Sequence, residues 1–378
     1  MKPRKIKEAI YWVGAVDWDR RLFDELIPLP DGTSYNAYWI QGSEKTALID
    51  TVDPPMAQVL FKRLDALQPE RVDYIVTNHA EQDHSGTLTQ MLERFPDARV
   101  VATPKCKAML VDLTLAPEDR ILEVEDGDTL SLGDKTLEFI HAPWVHWPET
   151  MLTYLREDAI LFPCDLFGSH LATSDLFVRD ESRVYEAAKR YYAEIMMPFR
   201  KIIQKHLERL KGYEISLIAP SHGPVYARPE FILEAYDDWV SGEPKNIVVL
   251  PYISMHGSTL AMVDHFVEAL VEEGVSMERF DLADTDIGKL AIALVDAATI
   301  VLGSPTVLSG AHPNVHYAAY LANILRPKTK FVSIIGSYGW GGKMVQQLAD
   351  LISGLKVEIL DPVLVKGYPK DEDFAALD

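Results

Sequence analysis

Apolar residues recur at two different rhythms along this chain, and the change between them divides it. Residues 10–16, 36–40 and 45–50 are short runs rich in β-branched and aromatic side chains, set apart by turn chemistry at Asp31-Gly32 and Gln41-Gly42-Ser43, which predicts strands. Residues 54–67 place Val59, Leu60, Leu64 and Leu67 on one face of a helix. A strand over 73–77, a helix over 88–95, a strand over 98–102 and a helix over 105–113 follow. Strands at 129–132 and 136–141 are joined by the hairpin turn Gly133-Asp134, and two more lie at 151–155 and 159–163. Long helices over 184–210 and 229–240 close this half, and Ser241-Gly242-Glu243-Pro244-Lys245 reads as a linker. From residue 247 strands and helices alternate regularly, the pattern of a parallel sheet covered on both faces. The expected division is therefore residues 1–245 and 246–378.

Composition narrows the function classes. A chain of 378 residues exceeds one ordinary core, in keeping with two domains. With 37 Lys and Arg against 57 Asp and Glu the formal charge is −20, which argues against general affinity for nucleic acid or anionic membranes. Only Cys106 and Cys164 are present, which excludes a disulfide framework, a Cys-ligated iron–sulfur cluster and a four-Cys iron site within this chain. Any one-electron iron donor must be a separate protein. The basic start, Met1 to Lys7, precedes a short apolar run bracketed by Glu8 and Asp17, a poor signal peptide, and no run reaches membrane-spanning length, so the cytoplasm is the expected location.

The chemistry concentrates where the strand 73–77 ends. His79, Glu81, Asp83 and His84 fall within six residues, alternating and then breaking step as a strand gives way to a turn or helix. Two imidazoles and two carboxylates at the end of an apolar strand call for a cation, and the mixed nitrogen and oxygen set suits iron or manganese. His146, Asp165 and His222 each lie at the end of another predicted strand. Taken singly these are an aromatic-cluster histidine, a helix cap and a turn residue; together with the loop they make seven ligands, the number for two metals and one bridging carboxylate.

In the second half, Ser254-Met255-His256-Gly257-Ser258-Thr259 links a strand at 247–253 to a helix reaching about residue 273, and such a turn offers backbone N–H groups and hydroxyls to a phosphate. Gly303-Ser304-Pro305-Thr306-Val307-Leu308-Ser309-Gly310 follows a strand at 299–302, and Gly336-Ser337-Tyr338-Gly339-Trp340-Gly341-Gly342 follows one at 330–335. Three such loops at the carboxyl ends of strands one, three and four predict a flavin at the switch point of a doubly wound sheet. No Gly-x-Gly-x-x-Gly fingerprint supports direct NADH binding.

The first half resembles a metallo-β-lactamase-type αββα sandwich, with Glu81 where the signature loop usually carries a second His. That replacement, with His146, Asp165 and His222 downstream and a flavodoxin-like half fused behind, resembles the flavodiiron proteins. The resemblance implies a diiron site with one iron on His79, Glu81 and His146, the other on Asp83, His84 and His222, and Asp165 bridging them. It implies a flavodoxin-like sheet of order 2-1-3-4-5, with FMN phosphate on Ser254 to Thr259 and the flavin ring between the loops containing Ser304, Pro305, Thr306, Ser309 and Gly310 and Ser337, Tyr338, Gly339, Trp340, Gly341 and Gly342. His256 departs from the Thr common in such phosphate loops, and Tyr338 or Trp340 could stack on the ring.

The function so implied is reduction of O2 to water, of NO to N2O, or of both, with electrons passing through FMN from an external donor. A rubredoxin-like protein and reduced F420 are the candidate donors, and the assembly implied is a head-to-tail homodimer or a dimer of such dimers. A zinc hydrolase would use the same sandwich, but Glu81 and the flavodoxin-like half count against it; a pure electron carrier would leave the seven ligand-type residues without a role. His170, Tyr191 and Tyr192 are candidates for the surroundings of the metals, while His141, His206, His265, His312 and His316 have no motif around them.

Overall fold

The computed structural model describes residues 1–378 and divides into two compact units, Met1–Tyr192 with Phe199–Asp238, and Ala193–Pro198 with Trp239–Asp378. In the first unit a seven-stranded sheet has Arg4–Lys7 and Ile10–Trp12 at one edge, then Tyr38–Gln41, Thr46–Ile49, Tyr74–Val76, Arg99–Ala102 and Ile121–Glu123. A five-stranded sheet runs Thr129–Ser131, Thr136–His141, Met151–Leu155, Ile160–Phe162 and Leu217–Ile218. Alternation along each strand sorts its side chains to opposite faces. Tyr38, Ile40, Ile49 and Val76 meet Phe139, Met151, Leu155 and Phe162 of the second sheet in one buried cluster. Trp39, Leu48, Ile75 and Val100 point the other way, onto Leu60, Leu64, Leu88 and Leu110 of the flanking helices. Helices Glu181–Tyr191 and Arg200–Leu210 form the layer beside the second sheet, where Arg209 Nη2 donates to Asp126 Oδ1 at 2.8 Å and Tyr213 Oη to Glu138 Oε1 at 2.8 Å just beyond the second helix. The result is an αββα sandwich.

One expectation is corrected here. The helix over 184–210 is not continuous: Glu181–Tyr191 gives way to a π turn at Tyr192–Met196 and a 3₁₀ turn at Met197–Phe199 before Arg200–Leu210 resumes. Pro198 is the cause, because it has no N–H to donate and its ring clashes with the carbonyl four residues back.

The second unit is a parallel sheet in the order Ser276–Asp281, Lys245–Tyr252, Ala297–Val307, Phe331–Tyr338, with Glu358–Ile359 and Val363–Lys366 sharing the last place. That is order 2-1-3-4-5 with the fifth position split, and helices such as Ser258–Glu272 and Pro313–Leu325 cover it. Two of the expected loops are partly strand. Ala297–Val307 carries Ser304, Pro305 and Thr306 within it and turns only at Leu308-Ser309, and Phe331–Tyr338 contains Gly336, Ser337 and Tyr338. Pairing of Gly303, Ser304 and Pro305 with Ile335, Gly336 and Ser337 overrides the turn chemistry of Gly, Ser and Pro.

Candidate active site

The strand Tyr74–Val76 ends in a loop pinned from below. Asp50 accepts the Asn78 backbone N–H at 2.8 Å and its Nδ2 at 3.0 Å, and Asn78 Oδ1 accepts Thr153 Oγ1 at 2.7 Å. A short helix, Gln82–Ser85, then turns Asp83 and His84 inward while Thr51 N donates to the His84 carbonyl at 2.8 Å. His222 is held from the other side, its Nδ1 donating to the Ser34 carbonyl at 2.6 Å, with Asn36 Nδ2 bonded to the carbonyls of Pro220 and Gly223 at 2.7 and 2.8 Å.

All seven expected residues converge, in two groups: His79, Glu81, His146 and Asp165 in one, and Asp83, His84 and His222 in the other, the candidate ligand atoms within each lying no more than 4.8 Å apart. In the first group Glu81 Oε2 lies 3.1 Å from His79 Nε2 and 3.2 Å from His146 Nε2. In the second, Asp83 Oδ2 lies 3.2 Å from both His84 Nε2 and His222 Nε2. Asp165 joins them. Its Oδ2 faces His79 and His146 at 3.5 and 3.4 Å, and its Oδ1 faces His84 and His222 at 2.9 and 3.4 Å.

His79 Nε2 and Glu81 Oε2 are within hydrogen-bonding geometry, but the contacts of Asp83, Asp165 and His84 are close and misaligned. Both oxygens of Asp83 and of Asp165, and both ring nitrogens of His84, are buried without a hydrogen-bond partner. Orphaned buried polar atoms are costly and uncommon, and lone pairs that converge without bonding each other are what a shared cation requires. The electrostatics agree. Burial would lower the His84 pKa, but Asp83 and Asp165 raise it to about 10; Asp165 itself, which burial would raise, is held well below the carboxylate range, chiefly by His84. The cluster is thus strongly charged by itself, and three carboxylates with four imidazoles form a hard set that fits two iron ions.

Other residues frame this cluster. His170 and Tyr191 lie against His222 with ring centroids 4.8 and 5.7 Å away, and burial, then His222, holds the His170 pKa well below its usual value. Phe23, in the hairpin of Leu22–Phe23 and Ile27–Pro28, closes over His170 at 5.0 Å. Tyr192 instead packs on Tyr236 at 5.4 Å. Glu149 has no motif to announce it, yet its buried Oε1 accepts His79 Nδ1 at 2.8 Å and the Ala80 N–H at 3.0 Å. Only its place three residues after His146 could have drawn attention to it. The remaining histidines are elsewhere: His141 bonds the Val124 carbonyl, His206 that of Pro143, His265 the Asp378 side chain, His312 caps Pro313–Leu325 and His316 lies near Gln347.

In the second unit a cavity of about 310 Å³ lies at the carboxyl edge of the sheet. Ser254, Met255, His256, Ser258, Thr259, Pro305, Thr306, Ser337, Tyr338, Gly339 and Trp340 line it, as does Gly367, which the sequence did not single out. Gly257, Ser304, Ser309, Gly310, Gly341 and Gly342 do not line it; Ser304 Oγ is spent on the Pro305 carbonyl and the His312 N–H. The helix Ser258–Glu272 starts at this cavity with Gly257 at φ 87°; Ser254 Oγ accepts the Leu260 N–H at 3.2 Å, and the N–H groups of the first turn face the cavity end, which suits a phosphate at the N-terminus.

Residues 33–223 match the model of the ODP family beta lactamase. The nitric oxide reductase of Moorella thermoacetica is 37% identical over 98% of this chain and 95% of that protein, and the coenzyme F420H2 oxidase of Methanothermobacter marburgensis 36% over 93% and 90%. The chain belongs to the flavodiiron protein family. Among solved structures, the flavodiiron protein from Giardia intestinalis is 31% identical with a TM-score of 0.94, covering 100% of this chain and 94% of that one. Rubredoxin oxygen:oxidoreductase from Desulfovibrio gigas is 29% identical with a TM-score of 0.95, covering 100% and 96%. The flavodiiron fold, a lactamase-like sandwich followed by a flavodoxin-like sheet, thus extends over the whole chain.

Proposed function

We propose that this flavodiiron protein is an oxidoreductase that reduces O2 to water, NO to N2O, or both, with a diiron site in the domain 1–245 and FMN in the domain 246–378. One observation carries the reading: a single buried carboxylate, Asp165, presents one oxygen to each of two ligand groups. His79, Glu81 and His146 would hold one iron, Asp83, His84 and His222 the other, and Asp165 both. Ser254 to Thr259 would hold the FMN phosphate, with Pro305, Thr306 and Ser337 to Trp340 around the ring. When bound, the iron pair and FMN supply the redox chemistry and the store of electrons that four-electron reduction of O2 or two-electron coupling of NO requires. The chain's own part is to orient and to exclude water. His79 and His222 are fixed through their Nδ1 atoms, Phe23 roofs the cluster, and Tyr191 keeps its proton because burial raises its pKa well above the usual value.

The electron donor is external, a rubredoxin-like protein or reduced F420, and the location is the cytoplasm; no helix is long and apolar enough to cross a membrane. A head-to-tail homodimer, alone or paired into a tetramer, is supported by the apolar surface at both sites. Leu308 (97% exposed) and Trp340 (77%) stand beside the FMN cavity, and Leu26 (59%) and Trp144 (46%) beside the metal cluster. The test is anaerobic loading with iron and FMN, metal and flavin analysis, and turnover with each gas and each donor. Protein that takes up only zinc and reduces neither gas would refute the reading. Leu308→Asp is expected to shift the sedimenting species toward the monomer.

A further inference from the structure

The two groups of ligands are symmetrical in composition but not in what stands behind them. His222 Nδ1 donates to a neutral backbone carbonyl, that of Ser34, and His84 Nδ1 has no partner. His79 Nδ1 instead meets the Glu149 carboxylate at 2.8 Å. That side chain is fully buried, and its Oε1 also accepts the Ala80 N–H at 3.0 Å. Its backbone is tied down as well: Thr103, which caps the helix Pro104–Thr114, donates through Oγ1 to the Glu149 carbonyl at 3.0 Å. Accepting two N–H groups with one oxygen suits a carboxylate, whereas a carboxylic acid would need an acceptor for its proton, and Oε2 has none.

We propose that Glu149 is a positioning residue that makes the two metal positions unequal, so that the position built from His79, Glu81 and His146 fills first and keeps the ferric ion when the pair holds one Fe(II) and one Fe(III). The inference rests on the diiron reading above. A carboxylate behind a ligating imidazole fixes the tautomer, so that Nε2 carries the free lone pair, and raises the basicity of that nitrogen. It also adds a buried negative charge on one side only, and charge in a site of low dielectric is weakly screened. Both effects favour binding, and favour the higher charge, at the His79 position.

Trp147 gives that position an optical label, since its ring lies 5.0 Å from His79 and 6.4 Å from His146. Metal-free protein is titrated with Co(II), and the fluorescence of the unmodified chain is compared with that of Trp147→Phe. Quenching specific to Trp147 is expected to be complete at the first equivalent. Quenching spread evenly over two equivalents overturns the inference while leaving the diiron reading intact; no Co(II) binding at all overturns the diiron reading itself. Glu149→Gln, which keeps shape and hydrogen bonding but not charge, is expected to weaken the first equivalent about 10-fold or more. In the iron-loaded protein it is expected to raise the lower of the two one-electron midpoint potentials, the one at which the remaining ferric ion is reduced, read by EPR-monitored titration with a chemical reductant. Glu149→Asp is expected to restore both. An unchanged affinity and potential in Glu149→Gln would overturn the role of the charge, and the titration of the unmodified chain decides the inequality of the positions even if that variant does not fold.

Discussion

Replacing Asp165 by Ala perturbs the one group that both halves of the cluster share. In the metal-free protein its carboxylate is held ionised although burial alone would raise its pKa, because the neighbouring imidazoles, His84 foremost, outweigh that cost. Deleting one partner of a buried ion pair costs about 3–5 kcal/mol when the charge left behind is trapped. The imidazoles here can release their protons instead, so the loss is closer to one hydrogen bond to a charged group, about 1.5–3 kcal/mol. At about 2–4 °C per kcal/mol for a unit of this size, metal-free Asp165→Ala should melt about 3–12 °C below the unmodified chain at neutral pH. The pH dependence has a definite sign. A carboxyl whose folded pKa is depressed stabilises above its unfolded value, about 3.9, and loses that contribution as the pH falls through the folded value, so the difference in melting temperature should shrink below about pH 4. With metal present both positions lose a ligand, and iron should fall from the expected pair to less than one ion per chain. Calorimetry of chelator-treated protein and colorimetric iron analysis measure the two effects. A variant that keeps both irons and melts, metal-free, within about a degree of the parent would refute the bridging role.

Three further outcomes follow from other parts of the structure. Cys106 and Cys164 are buried, and burial pushes both thiols well above their usual pKa, so a thiol reagent should label neither in the native protein and both after denaturation. A Cβ at Gly336 would sit 2.1 Å from the Ser304 carbonyl oxygen and 2.8 Å from Met344 Cε, so Gly336→Ala should cost about 1–3 kcal/mol and weaken FMN retention, measured by flavin fluorescence titration. Lys328 Nζ lies 3.6 Å from the buried Asp296 Oδ1 and 3.1 Å from Ser241 Oγ, with Lys245 Nζ 3.3 Å from Asp296 Oδ2. Lys328→Met should therefore cost the second unit about 1.5–3 kcal/mol in denaturant unfolding rather than the full penalty of a lone buried charge.

The ligands were legible in the sequence because metal chemistry constrains residue type and because strand ends announce themselves. His79, Glu81, Asp83 and His84 stand out by spacing, and His146, Asp165 and His222 by following apolar runs. Glu149 and Asp50 were not legible: each acts through a hydrogen bond to the metal loop, Glu149 from across the sandwich and Asp50 from the neighbouring strand, and an acid in a turn or at a strand end has no pattern of its own. The flavin loops misled in a different way. Gly303-Ser304-Pro305 has the composition of a turn, but pairing with Ile335, Gly336 and Ser337 keeps it extended, so Ser304 faces backbone rather than the cavity. Pro198, by contrast, was in plain view, and a helix drawn through it ignored a rule that the structure obeys.

Register explains why residues so far apart in the chain arrive together. In a parallel pair, equal offsets from paired positions reach equal heights, because both strands rise by the same amount per residue in the same direction. Leu161 pairs with Ile218, so the turns that carry Asp165 and His222 leave two adjacent strands at the same edge of the sheet. The same rule builds the other site. Tyr252 pairs with Gly303 and Gly303 with Ile335, so Ser254, Pro305 and Ser337, each two residues beyond, reach the same sheet edge and line one cavity. The two redox sites are thus placed by one device, parallel pairing that turns distance along the chain into a shared rim, and the side chains that differ between them, imidazole and carboxylate in one, hydroxyl and glycine in the other, decide which cofactor each rim can hold.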